Sequence, residues 1–157
     1  MSYQNFEKAI SLAKQCEGYW DGGGKSVDIV LKAEQLLGIK FSKQTHQYLV
    51  QLGFLEFFGV EIYGIIKDDF SGTPTGCLVE AALVERKDSN LPKEWIPIYF
   101  FDDGYMGFLD YTQLNEYGEP PIIMALYNGE NYNVAKKVSD DLGDFILKMV
   151  ENQLENQ

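Results

Sequence analysis

Apolar side chains recur at Phe6, Ala9, Ile10, Ala13 and Cys16, the three- and four-residue spacing that lines one face of a helix. The pattern predicts an opening amphipathic helix ended by Gly18. A second helix is better punctuated: Ser26 stands at its N-cap, Asp28 in its first turn, Val27, Val30, Leu31, Glu34 and Leu37 along it, and Gly38 just past its last apolar position. Ser42 caps a third, with Tyr48, Leu49 and Leu52 facing inward and Gly53 as the stop.

From Phe57 the period changes. Phe58, Val60, Ile62 and Gly64 alternate with Gly59, Glu61, Tyr63 and Ile65, and the β-branched and aromatic content predicts a strand. Asp68 to Gly76 reads as loop. Leu78 to Arg86 suits a short helix, with a strand as the competing reading. Ile96–Phe101, the turn residues Asp102-Asp103-Gly104 and Met106–Asp110 predict a hairpin. Pro120-Pro121 leads into a further apolar run, Ile122–Tyr127, closed by Asn128-Gly129. A last helix follows, with Asp140 and Asp141 at its start and Leu142, Phe145, Ile146, Met149 and Val150 at core spacing, fraying from Glu151. With no repeat or linker, the chain is expected to form one α+β domain over residues 1–157, with helices at both ends flanking a mainly antiparallel or mixed sheet and a core from about residue 25 to 150.

Composition supports a folded domain: 157 residues, 45% hydrophobic and 14% aromatic, enough to bury a substantial core without disulfides. Cys16 and Cys77 lack a partner motif and are expected to be reduced, buried thiols. No basic region with a following apolar run opens the chain, and no stretch is long enough to span a bilayer, so a cytoplasmic location is expected.

Asp21-Gly22-Gly23-Gly24-Lys25-Ser26 ends like a phosphate-binding loop, but the required first glycine position holds Tyr19, and a helix rather than a strand precedes the run. The glycines are read as a connector into the capped helix. His46 is the only histidine, which excludes His-pair metal motifs and leaves no recognisable catalytic arrangement. Asp68-Asp69 and Asp102-Asp103-Gly104 suit turns and lack the spaced acids of a calcium loop. No cofactor or metal is expected. A hydrolase built on two carboxylates would need acids converging in space, which sequence alone does not reveal.

The net charge of −11 is uneven. Up to Leu78 there are nine acids against seven bases; beyond it, fifteen against six. Such a field repels nucleic acid and anionic membranes and attracts basic proteins. Six of the ten tyrosines also lie from Tyr99 onward, and acids and tyrosines alternate through Asp102, Asp103, Tyr105, Asp110, Tyr111, Glu116, Tyr117 and Glu119. Two readings stand side by side: a partner-binding surface built on tyrosine's rigid, amphipathic contact area, or aromatics filling a sheet face whose acids solvate its edge.

The order of pieces resembles the SUKH superfamily, which includes Smi/Knr-type fungal cell-wall assembly regulators and many bacterial immunity proteins. Glu34, Leu37-Gly38, Phe41-Ser42, Tyr48-Leu49 and Leu52-Gly53 occupy the places of its opening signature, with Phe41 for leucine, Ser42 for proline, Tyr48 for phenylalanine and Leu52 for asparagine. Gly59–Ile65 resembles its central strand. Ile96-Pro97-Ile98, Phe101-Asp102-Asp103-Gly104, Phe108-Leu109-Asp110 and Gly118-Glu119-Pro120-Pro121 follow in the family's order, although Gly107-Phe108 replaces its glycine-aspartate pair. The resemblance implies a non-enzymatic binding domain that neutralises a cognate toxin, such as a nuclease with a basic cleft, by occlusion. The alternative it implies is a regulatory protein-interaction module.

Overall fold

Ser26 and Ser42 cap the helices they precede: Ser26 Oγ accepts from Ile29 N at 3.2 Å and Ser42 Oγ from Thr45 N at 3.4 Å, satisfying amides that a helix leaves without internal partners. The computed structural model that contains these caps describes residues 2–71 and 76–156. Its helices are α1 (Ser2–Ala13), α2 (Val27–Leu37), α3 (Lys43–Gln51), α4 (Leu78–Ser89) and α5 (Leu142–Glu155). Its strands are β1 (Trp20–Asp21), β2 (Leu55–Phe57), β3 (Val60–Ile62), β4 (Trp95–Phe100), β5 (Met106–Asp110), β6 (Ile122–Tyr127) and β7 (Tyr132–Ser139).

The strands form two antiparallel sheets, β1-β2-β3 and β4-β5-β6-β7. They meet where Tyr63 N donates to Ile98 O at 2.8 Å, just past the end of β3. The α+β architecture with helices at both ends follows the sequence expectation, as does the hairpin of β4 and β5. Other boundaries differ. The alternation from Phe57 to Ile65 is interrupted: β2 and β3 are a tight hairpin with Phe58 and Gly59 at its corner, φ +50° and +77°. This is the left-handed pair that a two-residue turn needs, and Phe58 N is held by Glu17 O at 2.9 Å. Leu78–Ser89 is helical, and α5 runs on through Glu155. β1 and β7 had no counterpart in the sequence reading. The middle of the loop expected from Asp68 to Gly76, residues 72–75, lies outside the described residues.

Most buried apolar residues form one cluster from Phe6 to Val150. Within it Phe6, Tyr48, Phe57 and Phe145 are the largest fully buried side chains, and the Tyr48 hydroxyl donates to Ile62 O at 2.7 Å. The two terminal helices join at Gly143 of α5, where an added Cβ would fall 2.7 Å from Phe6 Cα. The small sheet is locked by a similar main-chain contact: a Cβ on Gly64 would sit 1.8 Å from Gly53 O, an oxygen that also accepts from Ile65 N at 2.7 Å. Only glycine permits that approach.

The glycine run before Ser26 is a connector pinned at several points. Gly22 N donates to Phe54 O at 3.0 Å and Gly23 N to Asp21 Oδ1 at 2.9 Å. Lys25 Nζ donates to Ile66 O at 2.7 Å and pairs with Asp68 at 3.5 Å, so the lysine of the phosphate-loop-like stretch is engaged within the fold. Cys16 and Cys77 are buried and unpaired, and burial raises both thiols above the ordinary thiol range.

Candidate partner-binding surface

The acid-and-tyrosine stretch brackets β5, and the strand separates it into two groups. At one end, the β4–β5 turn exposes Asp102 and Asp103, with Tyr105 half-buried behind them. Asp103 takes φ +63°, a left-handed conformation that aspartate tolerates better than most residues. At the other end, the connection from β5 to β6 exposes Glu116 and Tyr117 but draws Asp110, Tyr111 and Glu119 inward.

Those three are corrections to the sequence reading, with distinct causes. Asp110 is 2% exposed. Its Oδ1 accepts from Thr112 N at 3.0 Å and Thr112 Oγ1 at 2.6 Å, and its Oδ2 from Gln113 Nε2 at 2.6 Å. It is an Asx turn ending the strand, a role that the Asp-x-Thr spacing signals. The Tyr111 hydroxyl accepts from Ser42 N and donates to Thr45 Oγ1, both at 3.1 Å. Burial raises this phenol above its ordinary value, against its hydrogen bonds with Ser42 and Thr45. Glu119 is 3% exposed, and one oxygen accepts from Gln44 N at 3.2 Å. Gln44 in turn accepts from Gly143 N at 2.8 Å. Tyr111 and Glu119 thus fasten the connection to the first turn of α3, where unpaired amides and the positive helix end favour an acid. Gln44 links that turn to the start of α5, and Asp110 shapes the connection from within. Burial still pushes the Glu119 carboxyl above the usual range, partly offset by its hydrogen bonds to Ser42 and Gln44.

Two open hollows flank the exposed acids. One, about 440 Å³, lies between the β5–β6 connection and the start of α5, with Glu116, Tyr117, Asp140, Asp141 and Asp144 among its lining. Its charge is partly answered internally: Lys137 pairs with Asp140 at 2.6 Å and Lys148 with Asp144 at 3.3 Å, and Asp141 caps α5 by accepting from Asp144 N at 2.8 Å. The Lys137 hydrogen bond and charge hold Asp140 below the ordinary carboxylate range. The other hollow, about 400 Å³, lies where the two sheets meet and is lined by Gly59, Glu61, Tyr63, Tyr99, Phe100 and Asp102. Of these, sequence reasoning selected Asp102 alone. The rest are nearly forty residues away or read as strand interior, and only the Tyr63–Ile98 junction brings them together. Among the described residues, no group of three or more His, Cys, Asp and Glu side chains is arranged to hold a metal ion, and no helix is long and apolar enough to cross a membrane.

Two antiparallel sheets joined at an edge and enclosed by helices from both ends of the chain define the class of α+β fold. The same fold occurs in the crystal structure of a protein from Pseudomonas syringae pv. tomato, with a TM-score of 0.62 over 88% of this chain and 93% of that one at 13% sequence identity. No curated protein matches the chain. The family model of the SMI1-KNR4 cell-wall family, SUKH_5, matches residues 9–151, and the chain belongs to that family. The match begins well before residue 25, taking in the last five residues of α1. The structure also explains the signature glutamate: Glu34 Oε2 accepts from Phe41 N at 2.6 Å, while its main-chain oxygen accepts from Gly38 N at 2.7 Å, closing the loop that leads into α3.

Proposed function

We propose that this protein is an immunity- or antitoxin-like binding protein that neutralises a cognate toxin by covering its functional surface, and that it performs no chemistry itself. The observation that carries the reading is the SUKH family match across residues 9–151. The negative charge of −11 supports it from a second direction: an acidic protein is drawn to the basic cleft of a nuclease and held in register by opposed potentials. Asp102 and Asp103 at one end of β5, with Tyr105 behind them, and Glu116 and Tyr117 at the other, are the members of the predicted surface that remain available to a partner.

The test is co-expression with the toxin candidate encoded beside this gene. Cells carrying both survive, and the two proteins co-purify in a complex whose association slows as salt is raised. Survival no better than with an empty vector overturns the reading. Asp102→Lys with Asp103→Lys, compared against Glu116→Lys with Asp140→Lys, decides which end of the sheet makes the contact: the pair that lowers the association rate marks it.

A further inference from the structure

The hollow at the sheet junction has a composition that a mere surface depression does not need. Three aromatic rings, Tyr63, Tyr99 and Phe100, wall it, and two carboxylates, Glu61 and Asp102, complete it. The walls are fixed. Tyr63 is 6% exposed, and its main-chain amide is bonded to Ile98 O. The Tyr99 ring stands edge-on to Phe101 and Phe145 at 4.8 and 5.7 Å between centroids. Phe100, by contrast, is 53% exposed, an aromatic face left open beside the acids. On the far side Gly59 leaves free space, with no atom within 4 Å of where a Cβ would be.

The charges here are also unanswered. Glu61 lies directly opposite Glu56 in the β2–β3 register, a like-charge pairing that destabilises a sheet unless a cation intervenes. Among the described residues, no lysine or arginine lines the hollow, and neither Glu61 nor Asp102 forms an ion pair. The negative field reaches both phenols: burial and then Glu61 raise the Tyr63 phenol, and burial and then Asp102 raise that of Tyr99. Both therefore stay protonated and keep neutral, electron-rich rings.

We propose that this hollow is a receptor for one arginine side chain of the basic protein partner. Arginine fits better than lysine for two reasons. Its planar guanidinium stacks on aromatic faces, and its fork of donors reaches two separate carboxylates at once, whereas an ammonium is a compact, strongly hydrated point charge. The assignment rests on the toxin-binding reading for the identity of the partner, and on the geometry above for its chemistry.

The experiment is an amide NMR titration of the full chain with three capped tripeptides, Gly-Arg-Gly, Gly-Lys-Gly and the neutral isostere Gly-citrulline-Gly. The arginine peptide shifts the amides of residues 59–63 and 99–102, the lysine peptide binds more weakly and the citrulline peptide leaves them in place. Glu61→Gln with Asp102→Asn, which keeps the shape of two solvent-facing side chains, lowers the arginine affinity about ten-fold, and Phe100→Ala about three-fold. Citrulline shifts equal to those of arginine, lysine binding as tightly as arginine, shifts confined to the Glu116–Asp144 hollow, or unchanged affinity in the Glu61→Gln/Asp102→Asn protein each overturn the proposal. The same variants are scored for protection in the co-expression assay. Peptide binding lost with protection intact overturns the placement of the hollow in the partner interface. Peptide binding retained by a wild-type protein that protects against nothing supports the receptor and overturns the immunity reading instead.

Discussion

Asp102–Tyr105 and Asp110–Glu119 carry the same side-chain chemistry at the two ends of one five-residue strand, yet the first faces solvent whereas Asp110, Tyr111 and Glu119 of the second are drawn into the fold. The difference lies in what each end meets. The turn end borders the open hollow at the sheet junction. The other end abuts the start of α3, where the Ser42 and Gln44 amides donate to the Tyr111 phenol and the Glu119 carboxylate. An acid's position relative to a helix start therefore decides whether it builds the molecule or equips its surface, and net charge does not distinguish the two.

Glu119→Lys breaks this contrast most severely. It places a cation in a buried site among helix N-termini, and chemical denaturation is expected to show a loss of about 3–5 kcal/mol. Asp110→Ala follows: removing a buried carboxylate that accepts three hydrogen bonds costs about 2 kcal/mol by the same measurement.

A gentler change sharpens the comparison through pH. Because the folded state raises the Glu119 carboxyl above its ordinary value of 4.5, protonation is easier in the folded protein than in the unfolded one. Its stabilising contribution is fully present below that ordinary value and is lost as pH rises through the higher, folded-state value. Glu119→Gln is expected to flatten that slope in stability measured between pH 4 and pH 7; identical slopes for wild type and Glu119→Gln would remove the group from the account. The smallest effect belongs to Asp103→Gly. Relieving the left-handed conformation raises the thermal midpoint by about 1 °C, measured by calorimetry.

The same asymmetry explains what the sequence disclosed. Ser26, Ser42 and Gly38 were legible because caps are local: a side chain or a positive φ acts within four residues of where it stands. Met106–Asp110 and Ile122–Tyr127 were legible as apolar runs bounded by turn residues. β7 was not, since Asn133 to Lys137 are all exposed at a sheet edge, so neither alternation nor an apolar run marks them. The β2–β3 corner was hidden because Phe58, a poor left-handed residue, occupies a place where asparagine or glycine would have announced a turn. In the candidate surface, Asp102 and Asp103 were visible as turn acids. Glu61, Tyr63 and Tyr99 were not, because their meeting depends on the pairing of strands that are remote in sequence. Glu119 was misplaced for the matching reason, since its partner Gln44 is 75 positions away.

The glycine-to-glycine approach at Gly53 and Gly64 makes one joint between the first sheet and its neighbours out of main chain. Such a hinge pin takes no part in side-chain drift. Charges and aromatics around the rim can therefore be exchanged without disturbing the frame that those two glycines set.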